Sequence, residues 1–156
     1  MRGAILQPTY LPWMGYFDMI DATDLYVVYD HVQFVRKSWH QRNRVKIHKG
    51  ELMLSVPVKK TPQDTPICEI EIRDQSALRK HWKTISLAYG KSRYFEDYMD
   101  LFEDLYHKKY FLLRDLNVAI IKTICKIFGI RKEIIYSSEL DLHKEDANLS
   151  RTWEGY

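Results

Sequence analysis

Three short clusters near the start of the chain carry the residue types that ligand chemistry needs. Gln7, Tyr10, Trp13, Gly15 and Tyr16 fall within Gln7-Pro8-Thr9-Tyr10-Leu11-Pro12-Trp13-Met14-Gly15-Tyr16; Asp30, His31 and Gln33 close the apolar run that begins at Leu25; Arg42, Asn43 and Arg44 sit in the basic stretch from Arg36 to Lys46. Arginine presents a planar fork that matches two phosphate oxygens at once, so Arg42 and Arg44 are the candidates to hold a diphosphate. Asp30 ends an apolar stretch, where a carboxylate is costly unless paired or hydrogen-bonded, so it needs a substrate hydroxyl, an amine or a nearby arginine as partner. With Gln7 and His31 it forms the candidate catalytic group, Asp30 orienting or deprotonating an amine or hydroxyl. Gln7 and Gln33 have the amides to read sugar hydroxyls, Tyr10 and Trp13 the rings to stack on a sugar, and Gly15 permits close backbone approach.

Each of these residues also has a plainer reading. Tyr10 and Trp13 serve equally as packing over the end of a sheet, Pro12 as a first-turn helix proline, Asp30 as a turn-capping carboxylate, and the basic run as a solvated loop. His31 has no second ligand at metal spacing, so no metal site is expected. His81 lies one position off its helix's apolar stripe and reads as a surface residue. Glu96-Asp97 and Glu103-Asp104 lie beside Arg93 and Lys108 and read as ion-pairing positions. The glycine-rich dinucleotide and P-loop signatures, the serine-hydrolase elbow and HExxH are all absent from the sequence.

The elements that must position these groups read as α/β. Ala4-Ile5-Leu6 predicts a strand, the Pro/Gly-broken segment a turn into a helix, and the run from Leu25 a second strand, together a βαβ unit. Ligands of open α/β sheets gather at the carboxyl ends of strands, where Gln7–Gly15 and Asp30–Gln33 fall. Val45-Lys46-Ile47 and Leu52–Val58 flank His48-Lys49-Gly50-Glu51 as an inserted β-hairpin, Lys59–Pro66 reads as an exposed loop, and Ile67–Ile72 alternates like a half-buried strand with glutamates toward water. Helices are expected from a Ser76 cap to about Tyr89, from about Tyr94 to His107 and from about Leu112 to Phe128, the first and last stopped by Gly90 and Gly129. Glu133–Ser138 then predicts a buried strand added in parallel. Glu139–Tyr156 shows no period and reads as a tail that either covers a sheet edge or leaves it to a partner.

At 156 residues with 46% apolar content, the chain suits one domain with a sizeable core. A net charge of +3 is too small for a nucleic-acid binder, and the basic run is not continued by a basic stripe, so a small-molecule partner is favoured over a polynucleotide. Cys68 and Cys125 sit in apolar patterns without CxxC spacing, which points to free thiols and a reducing compartment. Neither a leader pattern nor an apolar stretch long enough for a bilayer is present, so the expected location is the cytoplasm. Self-association, including a homo-oligomer, stays open.

Taken in order, Gln7–Phe17, Tyr29–Phe34, Arg42-Asn43-Arg44, Leu54–Val58 and His81-Trp82-Lys83 with Ala88-Tyr89 resemble the WbqC-like family of bacterial proteins, found with genes for O-antigen and other surface polysaccharides. The resemblance covers the chain to about Leu142, which implies a single domain over 1–142 and a divergent tail over 143–156. Family members end in a segment rich in Tyr, Ser and Gly that this chain does not show, so a truncated or divergent C-terminus is expected. The strand–turn–helix–strand order also resembles the HIGH-motif nucleotidyltransferases and implies a Rossmann-like core. Trp13-Met14-Gly15-Tyr16 stands where their His-x-Gly-His would be, which removes both phosphate-touching histidines. The function implied is a transferase modifying a nucleotide-activated, phosphorylated or amino sugar in surface-polysaccharide assembly. The alternative is a non-catalytic binding or scaffold module of the same pathway; the resemblance names no cofactor.

Overall fold

The computed structural model describes residues 1–140; the tail read over 143–156 lies outside them. Strand β1 (Gly3–Leu6), helix α1 (Met14–Asp21) and strand β2 (Leu25–Val28) form the expected parallel βαβ unit. Strand β5 (Glu133–Tyr136) adds in parallel on the far side of β2, giving the order β1-β2-β5 with Leu6 level with Val28 and Val28 level with Tyr136. Between β2 and β5 run the antiparallel hairpin β3 (Arg42–Ile47) and β4 (Gly50–Ser55), then helices α2 (Ser76–Tyr89), α3 (Phe95–His107) and α4 (Leu113–Ile127). The chain is thus mixed α/β, with a small parallel sheet and four helices among the described residues.

Two apolar cores share α4. Tyr16, Phe17 and Ile20 of α1 meet Tyr26 and Val28 of β2 and Val118, Ile121 and Cys125 of α4, so both helices cover one face of the parallel sheet. The opposite edge of α4 contributes Leu113, Leu116 and Ile120 to a second core with the hairpin, α2 and α3. Helical spacing alone allows α4 to serve both, because Leu116 and Ile120 lie one turn apart on one side and Val118 and Ile121 on another.

Four expectations are corrected. Ile67–Ile72 is not a strand: Pro66 leads into a 3-10 turn over Ile67–Glu69, closed by Ile70 N–H donating to Ile67 C=O, and Ile67, Ile70 and Ile72 are all buried. Only single bridges, Val58 to Ile72 and Glu71 to Leu112, remain of the extended pairing. Ser76 does not cap α2; it is the first helical residue, Gln75 stands at the N-cap without a side-chain capping bond, and Asp74 Oδ1 accepts from Ser76 N–H at 2.8 Å. The hairpin turn is shorter than expected, since β4 begins at Gly50, whose φ of +125° only glycine adopts without strain. His81 is buried rather than on the surface.

That burial creates a polar seam inside the second core. Tyr106 and Tyr10 hydroxyls lie 3.0 Å apart and Tyr10 Oη lies 2.8 Å from His81 Nδ1. The three groups form one buried chain of polar contacts, with His81 also facing the Ser55 backbone. Burial pushes the His81 ring down to about 4, against the upward pull of the Ser55 contact. Among the described residues no helix is long and apolar enough to cross a membrane.

A histidine whose folded value lies below its unfolded value favours the unfolded state once protonation there becomes available. Stability should therefore be complete above about pH 6.5 and fall between there and pH 4, by roughly 3 kcal/mol from this group. Urea unfolding across that range should show the fall in the native sequence, and His81→Phe should flatten the slope whatever its constant cost. An unchanged slope in the variant would assign the acid sensitivity elsewhere.

Candidate functional site

The turn leaving β1 is the first component. Residues Gln7 to Pro12 are partly enclosed, with Pro8 and Tyr10 buried and Gln7 exposed, so the enclosed backbone polar groups need partners from elsewhere. Asn117 of α4 donates through Nδ2 to Pro8 C=O at 3.0 Å and to His40 C=O at 2.8 Å. Tyr16 Oη donates to Gln7 C=O at 3.0 Å, and Asn43 Nδ2 donates to Leu11 C=O at 2.6 Å. Leu11 is thereby held at φ +51°, a left-handed conformation that costs a leucine about 1–2 kcal/mol. Asn117 Oδ1 is buried without a partner, the consequence of turning both amide protons toward two carbonyls.

At the mouth of this turn lies a notch of about 370 Å³ lined by Thr9, Pro12, Trp13, Tyr16, Trp39 and Asn43. Trp13 is 66% exposed and Trp39 55%. Trp13 immediately precedes α1, and its indole lies across Gly15 so closely that a Cβ there would sit 1.8 Å from the ring. Glycine at 15 is what lets the indole rest in that position. Beside the notch, Gln7 Oε1 lies 2.8 Å from His40 Nε2, and Val35 N–H points at His40 Nδ1 at 3.4 Å. Nδ1 is thus the acceptor and Nε2 the donor, which matches a ring kept neutral by burial.

The second component is at the ends of β2 and β5. Asp30 is fully buried. Its Oδ1 accepts from Ser137 Oγ at 3.0 Å and Ser138 N–H at 2.9 Å; its Oδ2 accepts from Ser138 Oγ at 2.8 Å and Arg114 Nη1 at 2.9 Å. Burial pushes this carboxyl up, but Arg114 and the two serines outweigh it and hold the group below the usual carboxylate range. Ser137 Oγ also accepts from Asp30 N–H at 3.0 Å and lies 2.8 Å from His31 Nδ1. Since the Ser137 proton is given to Asp30, His31 Nδ1 is the donor to Ser137, and His31 Nε2 is left with its lone pair on an exposed ring.

The structure brings Gln7, Trp13, Gly15, Tyr16 and Asn43 together around the notch, and Asp30 with His31 at the neighbouring strand ends. Arg114 and Asn117, three residues apart on α4, reach the two groups and place them at the same end of the sheet. Other candidates lie apart. Tyr10 is fully buried against His81, so its ring is closed to stacking. Gln33 Nε2 donates to Gln63 C=O in a separate surface groove. Arg44 pairs with Glu51 across the hairpin at 3.1 Å and lines a different cavity, while Arg42 is half-buried on β3 opposite Ser55. Sequence reasoning missed Arg114, Asn117, Ser137, Ser138, His40 and Trp39. The available signals were an asparagine within an apolar helical stripe and a serine pair just past the last strand.

Removing the Asp30 charge leaves Arg114 beside an amide. Asp30→Asn should cost about 3–5 kcal/mol, the usual penalty for breaking a buried ion pair. Its native counterpart should lose that contribution only as pH falls through the depressed folded value, below about pH 4. Urea midpoints for both proteins at pH 7 and in acid check this; a cost under 1 kcal/mol at pH 7 would show the ion pair to be dispensable.

The profile of the WbqC-like protein family matches residues 7–153. The uncharacterized protein Rv1507c of Mycobacterium tuberculosis is 30% identical over 141 residues, covering 89% of this chain and 61% of that protein. The chain therefore spans about three fifths of the length of the curated relative it matches. No solved structure gives a significant match. With its opening turn, its Tyr29–Phe34 segment and its hairpin all inside the matched range, the chain belongs to the WbqC-like protein family.

Proposed function

We propose that this chain is a transferase acting on a nucleotide-activated or amino sugar in bacterial surface-polysaccharide assembly, with its acceptor or donor sugar held in the tryptophan notch. The observation that carries the reading is the pair of exposed indoles, Trp13 and Trp39, on the walls of one 370 Å³ notch at the carboxyl end of β1. The C–H face of a pyranose packs on an indole face, and a volume of this order suits one sugar ring. Gln7 offers its amide N–H₂, because its carbonyl oxygen is already taken by His40.

His31 is the group assigned to move a proton. Its Nδ1–H is pinned through Ser137 to Asp30, which fixes the tautomer and leaves Nε2 free to accept from a hydroxyl or amine. Asp30 then acts as an anchor rather than a base, since all its acceptor positions are filled. A Rossmann-like, HIGH-nucleotidyltransferase-like origin of the βαβ unit is compatible with this placement. Nucleotidyl transfer by that class's usual route is not, because Trp13 and Tyr16 stand in place of its histidines. Arg42 remains the candidate for the diphosphate, since Arg44 lines a different cavity from the notch.

One observation favours the alternative of a non-catalytic binding module. The Arg114 guanidinium, the cation at the strand ends, is spent on Asp30 and Asp115 instead of facing a ligand. Heat stability measured with a panel of nucleotide-sugars, followed by mass spectrometry of each mixture, separates the two readings. The transferase reading expects a rise in Tm with at least one sugar and a new product that His31→Ala abolishes while binding persists. Trp13→Ala and Trp39→Ala should each weaken that binding at least about tenfold with little change in stability, the scale of one lost aromatic contact. Binding without product in the native chain would select the module, and no Tm shift with any sugar would remove both.

A further inference from the structure

A second cavity, of about 450 Å³, opens between the hairpin, α2 and α3 on the other side of Leu11. Its walls are apolar and aromatic, built chiefly from Trp82, Ile85, Tyr94, Phe95, Met99 and Phe102. Trp82 stacks on Phe95 with ring centres 6.1 Å apart, which stiffens one wall. Arg44 is the charged side chain that lines this cavity, and its guanidinium side chain is 58% exposed. Arg93, whose guanidinium lies 5.1 Å over the Tyr94 ring, is not itself among the lining residues. The acidic group in contact is Glu51, itself exposed and bound to Arg44 through a surface pair of small worth. Glu96 and Asp97, in the first turn of α3, are not among the lining residues.

We infer that this cavity binds a single-chain amphiphile with an anionic head, the chain lying among the aromatic residues and the head pairing with Arg44. The volume lies in the range of small-molecule sites rather than of a flat protein interface. The apolar wall would recover hydrophobic energy from each buried methylene, and the guanidinium offers the bidentate geometry of a phosphate or carboxylate. Arg44, the one charged side chain among the described lining residues, favours an anionic head over a neutral or cationic one, the head taking the place of Glu51 as its partner. The site lies apart from the tryptophan notch, so it stands whether or not a sugar binds there.

Titration of the protein with dodecyl phosphate, below its micelle concentration, while following the assigned Trp82 indole NMR signal, tests the inference. A saturable shift is expected, weakened about tenfold in Arg44→Ala, the value of one charge-assisted contact. Because Arg44 is exposed, its variant should fold normally, and its urea midpoint measured in parallel verifies that. Ile85→Trp, which fills the cavity, should abolish the shift. The inference is overturned if the Trp82 signal does not move, if dodecyltrimethylammonium binds as well, if Arg44→Ala binds unchanged, or if inorganic phosphate displaces the amphiphile stoichiometrically.

Discussion

A loop that packs against a protein interior must satisfy the backbone carbonyls it encloses, and the turn from Gln7 to Pro12, with Pro8 and Tyr10 buried, is such a loop. Its two prolines remove two N–H donors that would otherwise need acceptors. The carbonyls remain, and they are met by side chains from three different elements: Tyr16 of α1, Asn43 of β3 and Asn117 of α4. The Tyr10 N–H closes the circuit by donating to Trp39 C=O at 2.9 Å. Apart from that of Tyr16, which comes from the helix directly after the turn, each of these bonds joins it to a segment distant in sequence. The position of the notch is therefore fixed by the packing of both cores rather than by local propensity. A half-satisfied version of this network would leave buried carbonyls, each costing about 1–3 kcal/mol, so the network behaves as a unit.

A similar logic fixes the ends of β2 and β5. Parallel strands without a connecting hairpin have no short loop to set their register, and here β2 and β5 are more than a hundred residues apart in sequence. Asp30 ties them by accepting from the Ser138 backbone and both serine hydroxyls, and its bond to Arg114 adds the start of α4. A buried carboxylate is weak evidence for net stability, because desolvation offsets much of the attraction. Its value lies in specificity, since a strand slipped by one residue would present no serine pair to the charge. The same atoms that set the register fix the tautomer of His31.

Much of the scaffold was legible because it follows periodicity. The βαβ unit, the hairpin, three helices and the terminal parallel strand all have apolar spacing that matches their geometry. The segment from Ile67 to Ile72 was misread for a physical reason. Isoleucines at 67, 70 and 72 satisfy alternation only in part, and Pro66 with the spacing of three favours a 3-10 turn that buries Ile67 and Ile70 together. His81 was misread because a polar residue beside an apolar stripe defaults to the surface. The hydroxyl of Tyr10, 71 residues away, supplies a polar partner that no local pattern reveals. For Arg114, Ser137 and Asn117 the sequence shows at most an oddly placed polar residue and not what it meets, because their partners lie 84, 107 and 109 residues away, at separations no local pattern encodes.

Leu11 is the residue where these constraints meet. Its carbonyl is held by Asn43, which lines the tryptophan notch, while Leu11 itself lines the apolar cavity on the other side. Its left-handed backbone is what allows neighbouring residues to face two different spaces. A β-branched residue here would raise the strain, and a glycine would relieve it but surrender the side chain that closes the cavity. The two spaces are thus bordered by consecutive residues of one turn, Leu11 on the cavity and Pro12 and Trp13 on the notch.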